Sequence, residues 1–78
     1  MATLLDNMVD ILSTEIGEIT ARASIVMYAE KMGIAEEAIK AEHVAGIVEK
    51  LRPGLNVFVG AARTEHLATL MNKLGGGQ

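Results

Sequence analysis

The sequence of 78 residues contains no cysteine and no tryptophan, and it has one proline, one tyrosine and one phenylalanine. Without cysteine, neither a disulfide-stapled scaffold nor a thiolate zinc site can form. The longest apolar run, residues 57–62, is far shorter than the roughly 20 residues that a membrane-spanning helix needs. These absences exclude small secreted disulfide-rich domains and zinc ribbons, and they predict that the protein has no membrane partner.

Half of the residues are apolar, and the net charge is only −3. This composition argues against intrinsic disorder, and the length accommodates one domain. Alanine, leucine, isoleucine and methionine dominate, which favours helices over strands. We therefore predict an all-α fold, a compact domain of four to five helices over residues 1–74 with a long central helix. A flexible glycine-rich tail is expected over 75–78.

The pattern of apolar residues predicts two helices in the first half of the chain. A first helix is expected over Met1–Leu12, with Ser13 or Thr14 capping a second that runs over 14–32 and ends at Gly33. At about 100° per residue, this second helix is apolar on two nearly opposite sides, which makes it the expected central element. One side carries Ile16, Ile19, Ala23, Val26 and Met27, and the other carries Ala21, Ile25, Tyr28, Ala29 and Met32.

The second half of the chain predicts further helices on either side of the proline. A third helix is expected over 35–51 and is interrupted at 52–54, because proline lacks an amide hydrogen and clashes with the preceding turn. The stretch Leu55–Gly60 fits either a short helix that begins at Pro53 or a strand. A strand would need a second chain to satisfy its backbone. A final helix is expected over 61–74.

Residues 38–51 resemble residues 61–74, with six of fourteen positions identical. Two interpretations are open: two amphipathic helices of similar composition, or one duplicated helix. Either interpretation predicts that both segments are helical.

No motif for catalysis or for a cofactor is present. The chain lacks a nucleophile elbow, a glycine-rich phosphate loop and a dinucleotide fingerprint. His43 and His66 each follow a glutamate. Lys40 and Arg63, however, occupy the positions three residues earlier, where a metal site in a helical bundle needs a carboxylate. The sequence therefore predicts a non-enzymatic protein without metal or cofactor.

Charge is unevenly distributed along the chain. Residues 1–37 carry seven acidic and two basic side chains, whereas residues 38–78 carry three acidic and five basic ones. Nucleic-acid binders normally show a strong basic patch on a basic domain, so a nucleic-acid partner is not expected for this acidic chain. The alternative function of a small nucleic-acid-associated regulator would use basic side chains of the second half. These are Lys50, Arg52, Arg63 and Lys73.

Self-association is the function that the sequence favours. A chain of fewer than about 80 residues builds a small core, and this one has two apolar sides on its second helix to cover. Large exposed apolar patches usually mark interfaces. The sequence thus predicts a cytoplasmic scaffold, adaptor or small subunit that forms a homodimer or higher oligomer or joins a larger protein assembly. The expected interface residues are Ile25, Tyr28, Met32, Val57 and Phe58.

A further alternative is an oligomeric carrier of a small apolar ligand. In this interpretation the ligand binds between protomers near His43 or His66, each of which adjoins an apolar stripe. Small molecules that purify with the protein would distinguish a carrier from a scaffold.

Overall fold

Four α-helices form the domain in the computed structural model, which describes residues 3–75. Within this range there is no strand, and the predicted all-α class is confirmed. The first helix pair is α1 and α2, the second is α3 and α4, and two short 3₁₀ turns connect the pairs. The bounds are α1 Leu4–Ile16, α2 Glu18–Lys31, 3₁₀ turns Glu36–Ala38 and Ala41–His43, α3 Val44–Val59 and α4 Ala61–Leu74.

A single glycine joins the two helices of each pair. Gly17 has φ 86° and ψ 155°, and Gly60 has φ 87° and ψ 161°. This backbone region is essentially restricted to glycine, because at these dihedral angles a Cβ atom would crowd the residue's own adjoining peptide groups. The Gly17 amide donates to the Ser13 carbonyl at 3.0 Å, and the Gly60 amide donates to the Asn56 carbonyl at 3.1 Å. Each corner therefore ends one helix and begins the next without any loop.

The predicted long central helix over 14–32 is wrong at its start. The Ser13 hydroxyl donates to the Asp10 carbonyl at 3.0 Å, and the Thr14 hydroxyl donates to the Ile11 carbonyl at 3.2 Å. Both side chains thus lie within α1 instead of capping a new helix, and α1 continues to the Gly17 corner. The central helix is replaced by α2, which has 14 residues and is one of four similar helices.

Two of the helix ends have well-defined caps. Thr3 caps α1 in a reciprocal box with Asp6, in which each side chain accepts the other residue's amide at 3.1 Å. At the other end of the pair, Gly33 adopts φ 80°. The Ile34 amide donates to the Ala29 carbonyl at 2.9 Å, completing a Schellman motif. The predicted helix end before Gly33 is therefore confirmed.

The predicted third helix over 35–51 begins nine residues too early, because α3 starts at Val44. Residues 36–38 and 41–43 form 3₁₀ turns separated by extended backbone at Lys40, whose amide donates to Nδ1 of His43 at 3.0 Å. Ile39 is the one buried side chain of this connection. A segment with a single buried anchor lacks the apolar stripe that would hold a long helix against the core.

Pro53 does not end α3, and the predicted interruption at 52–54 is wrong. The helix continues to Val59, so residues 55–59 are neither a strand nor a separate helix. Leu51 and Leu55 are both buried, one helical turn apart, and they flank the exposed Pro53. Burial of this stripe offsets the roughly 3 kcal/mol that proline costs inside a helix.

The core lies between the two helix pairs, with α1 contacting α4 and α2 contacting α3. The accessible surface is 4665 Å², which is close to the roughly 4600 Å² expected for a folded monomer of this mass. A Cβ atom on Gly75 would lie 2.9 Å from the Ala41 carbonyl oxygen, so the end of α4 packs tightly against the second 3₁₀ turn. The rest of the predicted tail, residues 76–78, lies outside the described residues.

The helices within residues 3–75 do not meet the requirements of a membrane span. None of them is both long enough and apolar enough to cross a bilayer.

Candidate functional site

Helix α2 exposes a continuous apolar stripe on the side that faces away from the core. Ala21, Ile25 and Ala29 are completely buried. The opposite stripe, which we call the α2 outer face, consists of Ile19, Ala23, Val26 and Met27. Ile19 is 87% exposed and Met27 43% exposed, Ala23 is exposed, and Val26, at the edge of this stripe, is half-buried and packs against the core. Ile19 and Met27 lie two turns apart on the same side of the helix, and exposed apolar patches of this kind often mark interaction surfaces.

An apolar groove of about 220 Å³ adjoins the α2 outer face. We call it the Phe58 groove, after the side chain at its rim that is 71% exposed. Met27 belongs both to this groove and to the α2 outer face, so the two form one surface. The groove is lined by Ile16, Ser24, Met27, Tyr28, Leu51, Gly54, Leu55 and Phe58.

The five residues predicted to form the interface do not lie on one surface. Ile25 is completely buried and therefore not accessible to a partner. Met32 is half-buried and packs against the core. Tyr28 and Phe58 both line the Phe58 groove. Val57 is 85% exposed, but it points about 100° away from Phe58 around α3 and does not line the groove.

The stripe of α2 that was predicted to supply interface residues is the one that the structure turns toward the core, because Ile25 is completely buried. The two apolar stripes lie on nearly opposite sides of the helix, and the pattern alone does not show which of them faces the core. The small residues Ala21 and Ala29, one turn on either side of Ile25, were the available signal. Small side chains allow close helix packing, and the structure buries both alanines completely. The residues that sequence reasoning missed are Ile19 and Met27.

The four basic residues proposed for nucleic-acid contact do not form a free cationic patch. Arg52 binds the carboxylates of Glu49, at 3.0 Å, and Glu65. The hydrogen bond that Arg52 donates to Glu65 is the main reason why the pKa of Arg52 is raised. Arg63 binds Glu15 at 2.7 Å. Lys50 and Lys73 are exposed. Two of the four charges are thus already compensated by carboxylates of this chain.

The two histidines lie away from the apolar surface. Nδ1 of His43 accepts the Lys40 amide, and Nε2 lies 4.0 Å from the Glu42 carboxylate. His66 is exposed on α4. Neither ring lines the Phe58 groove. Within residues 3–75, no three carboxylate or imidazole groups are placed so that they could hold a metal ion.

A polar cleft of about 320 Å³ lies where α1, α2 and the first 3₁₀ turn meet. Its charged centre is an ion pair in which Arg22 donates to Asp6 at 2.7 Å. The Arg22 hydrogen bond, followed by the hydrogen bond from the Thr3 amide, lowers the pKa of the Asp6 carboxyl. These groups satisfy one another, so the pair links α1 to α2 and presents no free charge to a ligand.

Helix α4 provides an internal comparison for the α2 outer face. It has the same length as α2 and follows a glycine corner of the same geometry, 43 residues later in the chain. The positions that match Ile19, Ala23 and Val26 are occupied by Ala62, His66 and Thr69. All three are exposed, and the fourth match, Leu70 for Met27, is half-buried. The outer side of α4 is thus far less apolar than that of α2.

The chain was also compared with known proteins. No protein-family model, no curated protein and no solved structure matches it.

Proposed function

We propose that this protein is a non-enzymatic interaction module that self-associates through the α2 outer face and the Phe58 groove. The observation that carries the proposal is the contrast between α2 and α4. Equivalent positions of the two helices carry Ile19 and Val26 in α2 but Ala62 and Thr69 in α4. Val26 is half-buried against the core, but Ile19 is 87% exposed. Because α4 occupies its place in the fold with a largely polar outer side, the exposed Ile19 is not needed to build the helix pair, and it supports a contact with another molecule.

Association would bury side chains that are largely accessible in the monomer. Phe58 alone, at 71% exposure, offers roughly 100–180 Å² for burial. Ile19 and Met27 add further apolar area on the same surface. At about 25 cal/mol per Å², such a surface stabilises a complex by several kcal/mol before the entropy cost of association. The monomer already has the surface area of a complete fold, so we propose reversible association between folded chains.

The proposed biological role is that of a scaffold, an adaptor or a small subunit of a larger assembly in the cytoplasm. A homodimer is the simplest closed arrangement for one apolar surface. The ion pairs of Arg52 and Arg63 give no support to the nucleic-acid alternative. The positions of His43 and His66 give none to a ligand carrier at those residues.

The test is sedimentation equilibrium of the wild type, Ile19→Ala and Val57→Ala across the micromolar range. Ile19→Ala removes three carbon atoms from the proposed surface, and each buried carbon contributes about 0.8 kcal/mol, so the dimer should weaken at least about tenfold. Val57 is equally exposed but lies outside the groove, so Val57→Ala should leave the dissociation constant unchanged. A wild type that stays monomeric over the whole range contradicts the proposal.

A further inference from the structure

The surface formed by the α2 outer face and the Phe58 groove contains both a protruding side chain and a hollow. Ile19 projects from α2 with 87% of its surface exposed. Met27, two helical turns further along, borders the Phe58 groove of about 220 Å³. Ala23 lies midway between the two, four residues from each. The protrusion and the hollow therefore lie about 12 Å apart along one helix, at equal distances from a small residue.

This spacing matches the requirement of a two-fold symmetric contact. In such a contact the same pair of residues meets twice. If residue i of one copy touches residue j of the other, then residue i of the other copy touches residue j of the first. When two α2 helices pack antiparallel with Ala23 at the symmetry axis, each Ile19 lies opposite the partner's Met27, at the mouth of the partner's groove. A parallel arrangement would instead place Ile19 against Ile19 and leave both grooves empty.

We propose that the Phe58 groove is filled by Ile19 of a second copy of this chain, in an antiparallel α2–α2 contact centred on Ala23. The inference rests on the proposed self-association and specifies its geometry. The small side chain of Ala23 lets the two helix axes approach to about 8 Å, the short end of the usual range. Ile19 supplies the apolar side chain, and Phe58 and Tyr28 form the aromatic walls around it.

The charge of Glu30 disfavours the parallel arrangement. Glu30 lies on the same side as Ala23, one turn beyond Val26. In the antiparallel contact its carboxylate approaches the start of the partner's α2. That helix begins at Glu18, after a glycine that has no side chain to cap the first amides, and Glu18 itself places one carboxylate in the first turn. A carboxylate is attracted to the N-terminal end of a helix. In the parallel arrangement, Glu30 would face Glu30 and be repelled.

The absence of cysteine from the sequence permits a direct test by disulfide cross-linking. In the full-length chain, Ala23→Cys places a thiol at the symmetry axis, where the two copies come close enough for a disulfide. Ala45→Cys, at an exposed helical alanine of α3, is the matched control. A mixture of Ile19→Cys and Met27→Cys proteins should form the mixed disulfide in preference to either homodimer. Non-reducing electrophoresis and intact-mass measurement identify the products.

We expect Ala23→Cys to form the disulfide dimer at least about tenfold faster than Ala45→Cys, because contact raises the effective thiol concentration. If the wild type dimerises in sedimentation but positions 23 and 45 cross-link at equal rates, and the mixed 19–27 product is not preferred, this geometry is overturned while self-association stands. If the wild type is monomeric at all concentrations, both proposals fail. If Ala23→Cys itself disturbs the contact, the mixture of Ile19→Cys and Met27→Cys proteins still tests the geometry, because Ala23 is unchanged in both.

Discussion

Helices α2 and α4 occupy matching places in the two helix pairs; both bury residues on the inner side, but their outer sides differ in how apolar they are. Both have 14 residues and follow a glycine corner with φ near 86°. On the inner side, Ala21 and Ile25 are buried in α2 where Thr64 and Ala68 are buried in α4. On the outer side, the apolar Ile19 has its match in Ala62. The bulkier outer side chain thus belongs to α2.

This comparison separates what folds the chain from what the chain presents to other molecules. The inner positions of both helices are buried, as the shared core requires. The outer positions are free to be polar, as His66 and Thr69 show in α4. Ile19, at 87% exposure, therefore contributes little to the stability of the monomer, which is why the proposed contact is placed there.

The largest expected effect tests the two sides of α2 against each other. Ile25→Ala removes a completely buried side chain and should lower the free energy of unfolding by about 2–5 kcal/mol. Ile19→Ala makes the same chemical change at an exposed position and should change it by no more than about 0.5 kcal/mol. Urea titrations, run at a concentration where the wild type is monomeric, measure both. If Ile19→Ala and Ile25→Ala lowered the free energy of unfolding equally, the outer side of α2 would be part of the folding core.

A loss of stability of intermediate size is expected when either glycine corner is substituted, and the two losses can be compared. Gly17→Ala and Gly60→Ala should each destabilise the fold by about 1–3 kcal/mol, because both residues lie in the backbone region reserved for glycine. A Cβ atom would meet nothing within 4 Å at either corner, so backbone strain is the whole cost and the two losses should be similar. Gly54→Ala is the control within α3, where open space and helical backbone predict a gain of up to about 1 kcal/mol. Clearly unequal losses at the corners would break the equivalence of the helix pairs.

The smallest effect concerns the ion pair inside the first helix pair. Arg22 lowers the pKa of the Asp6 carboxyl below its ordinary value of 3.8. Stabilisation by this pair is therefore fully present above pH 3.8 and is lost as the pH falls through the lower pKa of the folded state. Asp6→Asn should remove this part of the acid dependence of unfolding, followed by circular dichroism against pH. In an Arg22→Gln background, the same substitution should have a smaller effect, and an unchanged effect would contradict the assignment to Arg22.

Much of the helical architecture could be predicted from local signals. Gly33 predicted the end of α2 to within one residue, and the apolar pattern of residues 61–74 predicted both ends of α4. The corner at Gly17 was missed, because Ser13 and Thr14 look like caps in sequence but bond backwards into α1. The continuation through Pro53 was missed because it depends on Leu51 and Leu55 being buried by other helices, which is not a local property.

The internal similarity of the sequence also pointed to the wrong equivalence. Residues 38–51 resemble α4 in sequence, yet their first six residues are not α-helical and their remainder begins α3. The structural match of α4 is α2, whose sequence shows little likeness to it. Short sequence similarity reports helix-forming composition, whereas the positions of Gly17 and Gly60 determine which helices occupy equivalent places. Of the residues in the candidate surface, Tyr28 and Phe58 were among those expected from the sequence, whereas Ile19 and Met27 were not.

The corner at Gly17 has a consequence for the rotational phase of α2. Because one residue joins the two helices, the fixed dihedral angles of Gly17 set the direction in which the first turn of α2 starts. The ion pair between Asp6 and Arg22 holds that direction. Either apolar stripe of α2 could have served as core, and a half-turn about the helix axis would exchange them. The glycine thereby selects which stripe becomes the interior and which stays at the surface.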